Sequence, residues 1–62
     1  MKRYQLIYKI DGYLPITGKT IYRSLKCAMK HVNWNVKDGN SVCLCTYEKC
    51  QSGYILIESK EF

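Results

Sequence analysis

The chain has 62 residues, of which 47% are hydrophobic and 24% are charged. A chain of this length buries only about 60% of the surface that its unfolded form exposes, so it has room for one core and not for an enclosed active-site cleft. Its composition is in the ordinary globular range and argues against disorder. We therefore expect one folded domain over residues 1–62. The net charge of +5 favours acidic partners, such as nucleic acid or an acidic protein surface.

Localisation is predicted from apolar runs and from cysteine usage. No apolar run approaches the roughly 20 residues that a membrane-spanning helix requires. Residues 1–10 alternate in polarity and do not form the long apolar stretch of a signal peptide. We therefore expect a cytoplasmic protein that does not bind membranes. Four cysteines would suggest a disulfide framework in a secreted chain, but without a secretory signal we expect reduced thiols.

The first third of the chain predicts a β-hairpin. Residues 3–10 alternate between two faces and are rich in aromatic and β-branched side chains, which is typical of a strand. Glycine and Pro15 punctuate residues 11–18, which predicts a loop. Residues 19–22 alternate again and predict the second strand. Apolar side chains such as Leu14 in this loop either fold onto the sheet edge or form a recognition surface.

The middle of the chain predicts an amphipathic helix. The apolar residues fall at i, i+3, i+4 and i+7, which places them on one stripe facing a core: Leu25, Ala28, Met29 and Val32. Ser24 is placed to act as the N-cap, with its hydroxyl accepting a bond from a first-turn amide. The helical pattern fades around residues 33–35. Residues 37–40 then predict a turn.

The last third of the chain predicts two more strands, at residues 41–48 and 54–59. Residues 49–53 connect them, and so short a connection forces an antiparallel hairpin. The predicted order is β-β-α-β-β, an α+β fold with one helix packed on a small antiparallel sheet. One helix covers only one face of such a sheet. Because both faces carry apolar residues, we expect exposed apolar surface on the open face, or a partner there, including a second copy in a homodimer.

One residue pair suggests catalysis, and a larger set suggests zinc. Cys27 and His31 lie four residues apart on the helix, but no carboxylate lies between Asp11 and Asp38 to orient the histidine. We therefore expect no enzymatic activity and no catalytic residue. The alternative is a structural Cys₃His zinc site that adds two cysteines of the third strand, Cys43 and Cys45. Because a C-x-C spacing differs from the C-x₂-C of zinc knuckles, we expect free thiols and no cofactor or metal.

The basic residues around the helix predict a binding surface. They recur at steps of three and four residues on the side away from the core, with aromatic residues beside them. The candidate binding residues are Arg23, Lys26, Lys30, Lys19, Lys37, Tyr22 and Trp34. Cations give fast association and charge complementarity, and an aromatic residue is typical of a buried anchor. The same combination suits nucleic acid, although no RNA-binding or helix-turn-helix motif is present. The alternative is a helix face that is merely solvated.

Residues 18–32 read Gly-Lys-Thr-Ile-Tyr-Arg-Ser-Leu-Lys-Cys-Ala-Met-Lys-His-Val, in which a short strand enters a helix that starts with Ser-Leu-x-x-Ala. With the hairpin that follows, residues 18–58 resemble small phage-encoded inhibitors, such as the phage T7 inhibitor of bacterial RNA polymerase and a small type I-F anti-CRISPR protein. Ser24, Leu25 and Ala28 match in residue type. The resemblance implies a helix on an antiparallel sheet, no catalytic activity, and docking on a host protein or nucleoprotein complex in the host cytoplasm through charged residues.

The leading hypothesis is therefore a non-enzymatic viral binding protein that inhibits a host machine. The resemblance assigns no individual site residue, so the candidate site rests on the charge and aromatic pattern alone. Two alternatives stay open, a nucleic-acid-binding module and a zinc-stabilised interaction domain.

Overall fold

A computed structural model describes all 62 residues. Its elements in chain order are β1 (Lys2–Lys9), β2 (Ile16–Thr17), α1 (Leu25–Lys37), β3 (Ser41–Cys50) and β4 (Gly53–Glu61). The four strands form one antiparallel sheet in the spatial order β2-β1-β3-β4. The predicted α+β class and the β-β-α-β-β order are confirmed.

The two central strands, β1 and β3, carry the core. They pair over the whole length of β1, from Lys2 opposite Glu48 to Lys9 opposite Ser41. Period-two alternation then directs every second side chain towards α1. The buried cluster contains side chains from both strands and from the helix, namely Leu6, Val42, Leu44, Ala28 and Val32. Each fully buried Val or Leu contributes about 1.5–3 kcal/mol relative to an exposed one.

The helix lies over β1 and β3 and makes no close contact with β4. An open groove of about 360 Å³ separates them, with Leu25 and Met29 on the helix side and Phe62 on the strand side. This placement corrects one predicted core residue, because Leu25 borders the groove and is 48% exposed. Ala28 and Val32 are buried as predicted, and Met29 is half-buried.

The predicted second strand is misplaced. β2 is Ile16–Thr17, inside the predicted loop, and residues 19–22 contribute only a single bridge between Tyr22 and Tyr4. The interruption is at Gly18, where a side chain would meet the Leu6 carbonyl and the Tyr8 ring, both 3.1 Å from an ideal Cβ. The Gly18 N–H donates to the Leu6 carbonyl at 2.7 Å, and the next backbone bonds join Tyr22 and Tyr4. Residues 19–21 lie between these contacts, where a regular ladder has one residue, so they do not pair.

The helix extends further than its polar residues suggest. It runs to Lys37 and not to residues 33–35, and the side-chain amide of Asn35 donates to the His31 carbonyl at 2.7 Å within it. Termination comes at Gly39, whose φ of +86° favours glycine and whose N–H bonds the Val36 carbonyl. At the other end Ser24 is the N-cap residue, but its hydroxyl makes no capping bond, and the predicted side-chain cap is wrong.

The C-terminal hairpin is tighter and longer than predicted. Only residues 51–52 lie between β3 and β4, in place of the predicted connection 49–53. β3 ends at Cys50 and not at residue 48, and β4 ends at Glu61 and not at residue 59. The register shifts between Thr46, which is opposite Glu58, and Tyr47, which is opposite Leu56. Ile57 is the extra residue of this β-bulge. The bulge separates an apolar half of β4, residues 53–57, from a charged half, residues 58–61.

Candidate functional site

The cations of the helix have no acidic partners within the protein. α1 contains three lysines and no acidic residue in its sequence, and Lys19 and Arg23 precede it. All five side chains are exposed. The two ion pairs of the structure lie elsewhere: the N-terminal ammonium with Glu48 at 2.9 Å, and Lys9 with Glu61. The five cations around the helix are therefore free to pair with another molecule.

The net charge of the protein lies entirely in one segment. Residues 12–37 contain five of the ten basic residues and no Asp or Glu. The remaining five basic residues are matched by all five acidic ones, so the rest of the chain is neutral. A charge of +5 confined to the helix and its entry produces a directed positive potential, which steers an acidic partner to that surface.

Steps of four and seven residues return to the same side of a helix, so Lys26, Lys30 and Lys37 form one line along α1. This line is opposite the stripe that contains Ala28 and Val32. The structure thus brings the three helical lysines onto one surface, which we call the basic line.

An aromatic row borders the basic line. The rings of Tyr22 and His31 are 5.1 Å apart, and those of His31 and Trp34 are 5.2 Å apart and edge-on. The Lys30 ammonium is 5.2 Å from the centre of the Trp34 ring, a cation–π distance. Trp34 is 54% exposed although it is the largest side chain of the protein. The aromatic row, Tyr22, His31 and Trp34, therefore leads from the sheet to the solvent beside the basic line.

The two predicted aromatic anchors have different surroundings. Tyr22 packs against the core cluster, and its backbone exchanges hydrogen bonds of 2.8 and 2.9 Å with Tyr4. Burial and the neighbouring Tyr8 raise the pKa of the Tyr22 hydroxyl. Trp34 has no such backbone attachment to the sheet. Trp34 is thus the side chain available to a partner, and Tyr22 fixes the inner end of the row.

His31 is predicted from the sequence only as a catalytic or zinc-binding residue. Its position between Tyr22 and Trp34 in the aromatic row is not predicted. The available signal was its spacing, because residues at i and i+3 are neighbours on a helix and Trp34 follows His31 at that step. No sequence pattern indicates the contact between His31 and Tyr22, because it depends on how the segment before the helix folds back onto β1.

The catalytic and zinc alternatives lack the geometry that they need. Cys27 is exposed and makes no hydrogen bond with His31, whose ring lies between two aromatic rings. Cys43 and Cys45 alternate along β3 with Val42 and Leu44, the residues that face the helix, so these thiols lie on the other side of the sheet. The Cys₃His set is therefore not brought together, and no three His, Cys, Asp or Glu side chains form a metal-binding group.

The face of the sheet away from the helix carries apolar side chains, and some of them are buried by their neighbours on the same face. Cys43 and Cys45 are buried there, and the Cys43 thiol is 3.1 Å from the Ser59 hydroxyl. Burial, followed by the adjacent Cys43, raises the pKa of the Cys45 thiol, which keeps it protonated and weakly nucleophilic. The rings of Tyr47 and Tyr54 meet edge-on at 6.4 Å, beside a hollow of about 130 Å³. This face thus offers shape and apolar area.

No family model matches the chain, and no curated protein or solved structure matches it significantly. The resemblance to phage inhibitors therefore stays a prediction. The one helix, of 13 residues, is too short to cross a bilayer.

Proposed function

We propose that this protein is a non-enzymatic, phage-type inhibitor that docks on an acidic surface of a host protein or nucleoprotein complex in the host cytoplasm. The observation that carries the proposal is the segregation of the entire net charge into the helix and its entry, without a single internal ion pair. Unpaired cations beside a half-exposed tryptophan combine long-range attraction with a large contact area.

The two parts of the site have separate roles in binding. The basic line raises the rate of association, because its field extends about 8 Å at physiological salt. Trp34 then supplies the short-range energy, since aromatic anchors buried in a pocket dominate protein interfaces. Lys30, which lies over the Trp34 ring, both holds that ring and contributes charge. Inhibition follows from occupying the acidic surface that the host machine needs for its own partner.

A matched pair of charge reversals tests the proposal. Lys26 and Lys30 are changed to Glu in one variant, and Lys2 and Lys49, which lie off the helix, are changed in the control. Each variant lowers the net charge by four, from +5 to +1, so only the position of the charge differs. The proteins are used to capture partners from a nuclease-treated bacterial lysate, and a Trp34→Ala variant is included.

The expected result is an acidic partner that wild type and the control variant recover, and that both helix variants lose. Circular dichroism of each variant establishes that it is folded. Equal recovery by all four proteins would contradict the proposed surface. Loss in the control as strongly as in the helix variant would show that net charge matters and that the basic line does not.

A second candidate function is binding of single-stranded nucleic acid. It is favoured by the contact between Lys30 and the exposed Trp34 ring, because an aromatic face beside a cation both stacks a base and neutralises a phosphate. A labelled oligonucleotide titrated at increasing salt tests it, since phosphate contacts make affinity fall steeply with ionic strength. Absence of binding at about 50 mM salt would exclude this function.

A further inference from the structure

Strand β4 is uncovered on three of its four sides. β3 pairs along one edge, the other edge is the border of the sheet, and the helix does not reach β4. Every residue of β4 after Gly53 is exposed. Four consecutive apolar side chains, residues 54–57, are 47–57% exposed. A small domain thus displays a continuous apolar strand at its border.

Sheet edges are normally protected because they are short or because they carry charges, proline or a bulge. In β4 these devices begin only at the bulge at Ile57 and the charges of residues 58–61, so the outer edge of residues 53–56 is unprotected. The opposite border of the sheet fits that rule, because β2 has two residues and follows Pro15. β4 has nine residues and no proline, and its first charge is Glu58. Its unpaired N–H and C=O groups are therefore accessible to another strand.

The distribution of charge indicates which strand it binds. Outside residues 12–37 the chain is neutral, so β4 neither attracts an acidic partner nor repels a second copy. An antiparallel two-fold pairing centred on residues 54–57 sets these apolar side chains beside the same residues of the partner strand, as self-complementary interfaces do. In the charged half Glu58, Lys60 and Glu61 include both signs, so like charges do not accumulate.

The basic helices do not oppose this pairing. Each helix lies over β1 and β3, so four strand spacings separate the two helices across paired β4 strands. At about 4.8 Å per spacing the helices are roughly 19 Å apart. That separation is more than twice the Debye length of about 8 Å at physiological salt. Repulsion between the two charged segments is therefore largely screened.

We infer that a second copy of this chain pairs with β4 in antiparallel orientation, which joins two four-stranded sheets into one and places both basic helices on the same face. The inference rests on β4 and on the balance of basic and acidic residues outside residues 12–37. It does not depend on the function proposed for the helix.

Sedimentation velocity over a range of protein concentrations tests the pairing. Wild type is expected to shift from 7.3 kDa towards twice that mass as concentration rises. Leu56→Lys places a charge in the middle of the apolar half and is expected to stay monomeric. Leu14→Lys is the matched control in an exposed loop, and it is expected to dimerise like wild type, because Leu14 lies far from β4 in the sheet order.

Amide exchange distinguishes edge pairing from a dimer that covers the open face. Alternation along the strand directs every second N–H group of residues 54–57 away from β3 and towards the free edge. Exchange of these outward amides is expected to slow at least tenfold in the dimer. A monomer at every concentration, dimerisation of a folded Leu56→Lys variant, or unchanged exchange of all the amides of residues 54–57 would each overturn the inference.

Discussion

Neighbouring strands β3 and β4 have similar apolar segments and opposite surroundings. Residues 42–45 of β3 are 1–6% exposed, whereas residues 54–57 of β4 are 47–57% exposed. β3 has a strand on each side and the helix above it, while β4 has one strand neighbour and no helix. Side-chain type therefore does not decide burial here. Position in the sheet decides it, and the apolar surface left at β4 is available to another chain.

The largest expected difference between β3 and β4 comes from the same Leu→Ala substitution made in each strand. Leu44→Ala removes a buried side chain that contacts the helix, and we expect it to lower the free energy of unfolding by about 2–5 kcal/mol. Leu56→Ala, in β4, should change it by no more than about 0.5 kcal/mol in the monomer. Urea denaturation at low protein concentration measures both values. Equal losses would mean that β4 is covered as fully as β3.

The turns that lead into β3 and β4 each contain a glycine with positive φ, but the two φ values differ. Gly53 begins β4 with a φ of +129°, and Gly39 precedes β3 with a φ of +86°. An added Cβ meets no atom at either position, so any cost is backbone strain alone. We expect Gly53→Ala to cost about 1–3 kcal/mol, and Gly39→Ala about 1 kcal/mol, because left-handed φ is less restrictive. Thermal unfolding ranks the two variants, and a larger loss for Gly39→Ala would contradict the ranking.

Thiol labelling tests the shielding of β3 directly. Cys43 and Cys45 are buried in β3 although no second layer covers that face, and Cys27 is exposed on the helix. The raised pKa of Cys45 slows its reaction further, since only the thiolate is a nucleophile. We expect iodoacetamide to modify Cys27 at least tenfold faster than either β3 thiol, as peptide mapping by mass spectrometry would show. Similar rates at all three sites would show that the open face is unshielded.

The smallest expected effect concerns the ion pair between Lys9 of β1 and Glu61 of β4. The hydrogen bond to Lys9 lowers the pKa of Glu61, and the hydrogen bond to Glu61 raises the pKa of Lys9. The lowered carboxyl pKa stabilises the fold above the unfolded value of about 4.3, and this contribution is lost as pH falls through the lower folded pKa. The lysine contribution is present below about pH 10.4 and is lost as pH rises through the raised folded pKa.

Replacing Glu61 by Gln removes both contributions. We expect the melting temperature of Glu61→Gln to depend less on pH than that of wild type at the acidic end, with a difference of only a few degrees because the ion pair is solvent-exposed. Calorimetric scans from about pH 3 to pH 6 bracket the ordinary carboxyl pKa. Parallel curves for the two proteins would show that the ion pair does not contribute to stability.

Part of the candidate site could be predicted from residue spacing. The basic line follows from steps of four and seven residues on a helix, and the exposure of Trp34 follows from its place outside the apolar stripe. The aromatic row could not be predicted in full. Tyr22 joins it only because the segment after Gly18 returns to β1 and forms a bridge with Tyr4. No local pattern encodes that return.

The errors of the prediction have the same origin. Residues 19–22 have the alternation of a strand, but three residues lie between the Gly18–Leu6 bond and the Tyr22–Tyr4 bridge, so no regular pairing forms there. The ligands of the zinc alternative are on α1 and β3, two elements that follow each other in the chain. They are separated because β3 is a central strand whose alternate residues face opposite sides of the sheet.

The order of elements, the helix stripe that faces the core and the segregation of charge around the helix can all be predicted from the amino-acid sequence. These features depend on local period and composition, which a linear chain contains in full. Three features follow only from the tertiary structure: β4 is the bare border of the sheet, Cys43 and Cys45 lie on the face of β3 away from the helix of Cys27, and Tyr22 supports the aromatic row. Strand order and the placement of the helix depend on contacts between distant segments, and no local period encodes these contacts.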